Sequence, residues 1–226
     1  MEYNFFIQFY LFNNFINKKM SNDDIILQAI KIGLLGDCTV GKTSVCKVFT
    51  GLEFSDEEMV TIGSDKFEKK FYLQNGKEIK LVLWDTAGQE RFRSAALKAI
   101  RFVQGIVIIF TVTNRRSFEN IDSWLKDIKE NFEEPPLALF GNMIDKDKER
   151  WEVTSEEVKE FAKKNNLPYF ETSAKTNQGL NEGFSYIIEE VYRSIEERKN
   201  NKNITIPKNN NNTSGCPGKK KKNKQK

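Results

Sequence analysis

Nine consecutive residues, Gly36, Asp37, Cys38, Thr39, Val40, Gly41, Lys42, Thr43 and Ser44, fit the phosphate-cradling pattern G-x-x-x-x-G-K-[ST] at every fixed position. The glycines let a loop curl so that successive backbone N–H groups face an oxyanion, and a following helix adds free N–H groups and a positive dipole end. Lys42 brings an ammonium to β- and γ-phosphates, and Thr43 a hydroxyl for a bridging Mg²⁺. Further along, Trp84-Asp85-Thr86-Ala87-Gly88-Gln89-Glu90 closes an apolar run with an acid and then a small, flexible turn. Asp85 is placed to hold the metal, Gly88 to turn its N–H onto a γ-phosphate, and Gln89 to orient an attacking water through a neutral amide. Cys38 reads as a tolerated small residue, although helix-terminal N–H groups can activate a thiol.

Such residues need strands to end on and helices to begin. Strand-like runs fall at Ile30–Leu35, Lys69–Leu73, Ile79–Trp84, Gly105–Val112, Leu137–Phe140 and Tyr169–Thr172. Asn75-Gly76 reads as a two-residue hairpin turn, which makes the second and third runs antiparallel neighbours. Helical periodicity covers Thr43–Phe49, Ser117–Phe132, Ser155–Asn165 and Leu180–Arg198, with a capping box at Thr154 to Glu157. The expected fold is α/β of the P-loop NTPase type: a mostly parallel six-stranded sheet with one antiparallel edge strand and helices on both faces. Ligands of such sheets sit at the carboxyl ends of the strands, where these motifs fall.

Composition narrows the chemistry. The chain has 226 residues and no histidine, which excludes a Ser-His-Asp triad, a Cys-His pair and a histidine metal site. Cys38, Cys46 and Cys216 are odd in number without C-x-x-C spacing, as expected in a reducing compartment. The net charge of +4 is unevenly spread: ten basic and no acidic residues lie from Arg198 to Lys226, against 24 basic and 29 acidic from Lys31 to Glu197. A basic tail on an acidic body argues against a nucleic-acid partner. Residues 30–198 are read as the globular domain, 1–29 as an N-terminal extension and 199–226 as a disordered basic tail. Residues 1–20 are too broken for a membrane span. They read as a weak interfacial helix or, in the preferred reading, as a segment upstream of a true start at Met20.

Taken together the motifs resemble those of a Ras-superfamily small GTPase, nearest the Rab branch. Thr61-Ile62-Gly63 resembles the first switch, Asp85 to Arg93 the second, Thr113-Asn114 and Ser117 to Asn120 the run before the third helix, and Glu171 to Lys175 the last guanine motif. The resemblance covers about Ile30 to Arg198. It implies GTP/GDP as ligand and substrate, Mg²⁺ as cofactor, GTP hydrolysis, and a switch in vesicle trafficking served by an exchange factor, a GTPase-activating protein and effectors. It further implies that Thr61 joins Thr43 and Asp85 at the metal and that Phe54 edges the guanine. Asn142, Met143, Asp145, Ser173, Ala174 and Lys175 would form the guanine site. There a carboxylate such as Asp145 can accept two donors that adenine does not present, and a backbone N–H near Ala174 would meet the base oxygen. The effector and switch surface would include Thr61, Ile62, Gly63, Phe67 and Trp84. A monomer, cytoplasmic or peripheral on endomembranes, is expected.

Three departures matter. Met143 stands where the family has lysine and removes an ammonium, so weaker nucleotide binding is expected. One extra residue between Gly63 and Phe67 should bulge the strand or flip its alternation, and Ala99-Ile100 replace a tyrosine pair, which reads either as partner recognition particular to this chain or as ordinary drift of a packed surface. Cys216 is followed by Pro217 and the Lys219–Lys222 run, which speaks against prenylation and leaves weak contact with anionic membrane. The competing readings are a degenerate guanine-nucleotide module that works through partner binding and a P-loop kinase or ATPase, the latter opposed by Asp145 and the Ser173 to Lys175 loop.

Overall fold

The computed structural model describes residues 29–57 and 60–204, which leaves the N-terminal segment before residue 29, the Lys219–Lys222 run and Cys216 outside it. The chain divides into two units at Tyr192/Arg193, and of the second only helical residues up to 204 are described. In the first unit six strands form one sheet: β1 (Ile30–Leu35), β2 (Ser64–Tyr72), β3 (Glu78–Thr86), β4 (Gly105–Thr111), β5 (Leu137–Asn142) and β6 (Tyr169–Glu171). Their order is β2-β3-β1-β4-β5-β6, with only the β2–β3 pair antiparallel. The expected sheet is therefore the observed one. β4 is buried at all seven positions, as its unbroken apolar run requires of a central parallel strand covered on both faces.

The covering helices are α1 (Lys42–Thr50), α2 (Arg93–Ala99), α3 (Arg115–Glu119), α4 (Ile121–Asn131), α5 (Ser155–Lys164) and α6 (Leu180–Ile204). On one face Ile106, Ile108 and Phe110 pack with Ala96, Ile100, Phe118, Ile121, Trp124, Ile128 and Val158 from α2 to α5 and the turn after α2. On the other face α1 meets α6 through Phe49 stacked on Phe184 at 4.0 Å, with Phe140 edge-on to Phe184 at 5.2 Å. Gly183 allows that approach, since a Cβ there would run into the Phe140 ring.

Four local expectations change. The turn between β2 and β3 spans Leu73 to Lys77 and closes with Gly76 N–H on Leu73 O at 2.8 Å. Gly76 alone takes positive φ (81°), while Asn75 Oδ1 accepts from Lys77 N–H, so a bulged turn replaces the two-residue one. The single helix expected over Ser117–Phe132 is two, broken at Asn120 with ψ −8°. The turn after Asp85 is helical: a 3₁₀ turn at Glu90–Phe92 runs into α2. The last helix continues past Arg198 to Ile204. The Thr154 cap is present, its Oγ1 accepting from Glu157 N–H at 3.3 Å.

Candidate functional site

The phosphate loop turns where its glycines permit. Gly36 has φ 146° and Gly41 φ 91°, and side chains there would collide with Ile109 O and Asn142 Nδ2 respectively. Helix α1 follows Gly41, which offers no side-chain cap, and has no acid in its first turn, so its N–H groups and dipole remain for an anion. Lys42 lies buried under the loop, with Nζ donating to Gly36 O at 2.9 Å and Asp37 O at 2.7 Å. Burial holds this ammonium below the ordinary lysine pKa, against the pull of Asp85. Gly88 closes over it, since a Cβ there would strike Asp37 O and Lys42 Nζ.

Beside the loop, oxygens from three separate elements meet. Thr43 Oγ1 donates to Asp85 Oδ2 at 2.6 Å, Thr61 Oγ1 donates to the same oxygen at 3.2 Å, and the two hydroxyls are 2.8 Å apart. Asp85 is fully buried, and its Oδ1 has no hydrogen-bond partner. Burial pushes its carboxyl above the usual aspartate pKa, although both threonines and Lys42 oppose that. An orphaned buried carboxylate oxygen between two hydroxyls fits a hard cation. Among the described residues no cluster of three His, Cys, Asp or Glu could hold a metal, so a cation here needs ligand phosphate oxygens, as suits Mg²⁺.

From there a cleft of about 360 Å³ runs between the phosphate loop and Phe54, Ser55, Asp56, Val60 and Thr61 on one side and Asn142, Met143, Asp145 and Lys146 with Ala174 and Lys175 on the other. Its far end is braced by side chains. Ser173 Oγ donates to Asp145 Oδ1 at 2.6 Å and so orients the carboxylate. Asn142 Nδ2 donates to Val40 O at 2.9 Å, while its Oδ1 accepts from Ala174 N–H at 3.2 Å. Asn142 thus bolts the phosphate loop to the last loop. The Ala174 N–H assigned to a base oxygen is engaged by this bolt. Met143, at φ 67°, receives Thr113 Oγ1–H on its sulfur at 3.9 Å, and its methyl faces Gly41. Lys175 reaches Asp56 at 3.9 Å across the mouth.

Three expected site residues stand apart from the cleft. The Gln89 amide oxygen accepts from Arg91 Nε at 2.7 Å, and Gln89 does not line the cleft. Phe67 and Trp84 lie on opposite faces of the sheet: the β2–β3 ladder runs unbroken from Ser64/Thr86 to Tyr72/Glu78, pairing Lys66 with Trp84 and Phe67 with Leu83. The extra residue therefore makes no bulge. Lys66 Nζ sits 4.3 Å from the Trp84 ring, and Phe67 is half-buried on the α1 side. Ile62 is 87% exposed, whereas Ile100 is fully buried against Gly33, so the lost tyrosine pair is partly a core position. Asn120 and Trp124 turn out to hold Asp37, with Arg93 on the Trp124 ring; Asn120 and Arg93 lay at the ends of quoted motifs with no such role read for them, and Trp124 had no motif to mark it. A tryptophan on an apolar helix face reads as core.

Comparison with known proteins agrees with this geometry. The Ras family model matches residues 31–193. The chain belongs to the Ras family of small GTPases, in its Rab branch. The chain is 36% identical over 171 residues to the Ras-related protein Rab-18 of Lymnaea stagnalis, a match covering 75% of this chain and 83% of that one. It is 36% identical over 169 residues to rab-39 of Caenorhabditis elegans (73% of each chain), and 37% over 174 residues to Rab-18-B of Danio rerio (76% and 83%). As a Rab-like GTPase it binds GTP and GDP with Mg²⁺, hydrolyses GTP, and acts as a switch in membrane trafficking under regulators and effectors. Rab GTPases act on endomembranes; among the described residues no helix is long and apolar enough to cross one.

Proposed function

We propose that the cleft seats the nucleotide with its phosphates on residues 36–44 and its guanine on Asp145, and that Gln89 orients the water that attacks the γ-phosphate. The observation that carries this is the meeting of Thr43, Thr61 and Asp85 with one carboxylate oxygen left over. These three would hold Mg²⁺, which supplies charge neutralisation at the phosphates. Lys42 adds charge at the β- and γ-phosphates, and Gly88 its N–H at the γ-phosphate. With no histidine in the chain, catalysis rests on positioning and electrostatics. Gln89 reaches the water once Arg91 releases its amide. Phe54 and Lys175 flank the base, and Asp145, oriented by Ser173, selects guanine over adenine.

The G domain works as a monomer, Thr61, Ile62, Gly63, Lys66 and Trp84 face effectors, and the Lys219–Lys222 run touches anionic membrane, at about 1 kcal/mol per lysine near the surface. Single-turnover GTP hydrolysis tests the central assignment. Gln89→Leu should slow it by about tenfold or more with GTP still bound. Equal rates would remove Gln89 from the reaction.

A further inference from the structure

Asp37 is the second residue of the phosphate loop, yet its carboxylate is taken up on the other side. Trp124 Nε1 donates to Asp37 Oδ1 at 3.0 Å, and Asn120 Nδ2 donates to Asp37 Oδ2 at 2.5 Å. Both donors belong to the start of α4, and Trp124 is only 2% exposed. The backbone carbonyl of the same residue accepts from Lys42 Nζ and forms the surface against which Gly88 sits. Holding the Asp37 side chain therefore fixes the peptide that meets both the phosphate-binding lysine and the turn leading to Gln89.

The indole is held from its face as well. The Arg93 guanidinium lies 3.7 Å from the Trp124 ring centroid, within cation–π range. Arg93 is also paired with Asp127 and donates from a terminal nitrogen to Ser123 Oγ at 3.0 Å, both on α4. It is the first residue of α2, directly after the 3₁₀ turn that follows Gln89, and Arg91 in that turn grips the Gln89 amide. One indole thus touches the phosphate loop with its N–H and the Gln89 segment with its ring.

We infer that Trp124 is a positioning residue for GTP hydrolysis: by bonding Asp37 and stacking on Arg93 it sets the placement of the Gln89 segment relative to the phosphate loop. The inference rests on the reading of Gln89 as the water-orienting residue. A tryptophan kept only for packing would need neither the acceptor on the loop nor the cation on its face. Phenylalanine keeps an aromatic ring for Arg93 to face while losing the N–H and the volume of the second ring.

The test is a double-mutant cycle in single-turnover GTP hydrolysis by the full chain, using Trp124→Phe, Gln89→Leu and the double variant, with thermal unfolding of each GDP-bound protein as the check on folding. Trp124→Phe should slow hydrolysis about tenfold, the scale expected of a displaced reacting group. In the Gln89→Leu background it should slow it no further, because the indole acts through that residue. Arg93→Met, altered on the half-exposed side of the ring, should show the same pattern and serves where the indole variant does not fold. A slowed Gln89→Leu beside an unchanged Trp124→Phe would overturn the inference, as would an equal, independent slowing in both backgrounds. If Gln89→Leu itself hydrolyses normally, the reading of Gln89 fails and this inference falls with it.

Discussion

At the scale of single residues, the cleft depends on a few side chains whose partners are now known. Met143 replaces an ammonium with a thioether that receives the Thr113 hydroxyl at 3.9 Å. A lost charge-assisted hydrogen bond costs about 1.5 to 3 kcal/mol, so Met143→Lys should slow nucleotide dissociation roughly ten- to a hundredfold; equal off-rates would show that the position does not brace the ligand. The two described cysteines should behave oppositely. Cys46 is fully buried and its thiol is pushed well above the ordinary pKa by that burial, while Cys38 is part-exposed and lines the cleft. Since the thiolate is the nucleophile, iodoacetamide at pH 8 should label Cys38 in the nucleotide-free chain, spare Cys46, and lose Cys38 labelling when GDP is added. Peptide mass spectrometry reads both, and labelling of Cys38 unaffected by GDP would place the phosphates elsewhere. Fixed-spacing residues such as Lys42, Thr43 and Asp85 were legible in sequence because their chemistry demands their type. Asn142 was legible as a site residue but not as the bolt between Val40 and Ala174, since hydrogen bonds across 102 and 32 positions leave no local pattern.

At the scale of elements, periodicity located every strand, although it began β2 at Lys69 where the strand starts at Ser64, and other errors fell where a backbone detail decided the outcome. Asn75-Gly76 looks like a two-residue turn, but only Gly76 enters the left-handed region. The Ser117–Phe132 pattern is continuous in apolar spacing, yet Asn120 breaks it and turns its own side chain to Asp37. Helix α2 went unread because its seven residues, Arg93–Ala99, are too few to show a helical period. The extra residue ahead of Phe67 could be seen, but not which way it resolves; the continuous ladder transfers Phe67 to the α1 side and gives its place beside Trp84 to Lys66. Packing between elements supports a further prediction. Phe184 joins α6 to Phe49 of α1 and to Phe140 of β5 and is fully buried. Phe184→Ala should cost about 3 to 5 kcal/mol in denaturant unfolding of the GDP-bound protein, and a loss below about 1 kcal/mol would mean that this contact is not part of the core.

At the scale of the whole molecule, a six-stranded sheet brings together the β1–α1 loop, the end of β3 and the loops after β5 and β6 at one edge, and the cleft is their meeting place. The sheet and the switch architecture were readable because parallel strands buried on both faces leave long apolar runs. The joints between loops were not, because they are made by single side chains from distant parts of the chain. The claim that unites the site is that Thr43, Thr61 and Asp85 form a cation site shared with the phosphates of a guanine nucleotide. Dissociation of a fluorescent GDP from the purified chain, chased with excess GTP or ATP in Mg²⁺ or in EDTA, tests it most directly. The result expected is release into a GTP chase, at least tenfold faster in EDTA, with ATP unable to block rebinding of the fluorescent GDP. Release at the same rate with and without Mg²⁺, or equal competition by ATP, would contradict it.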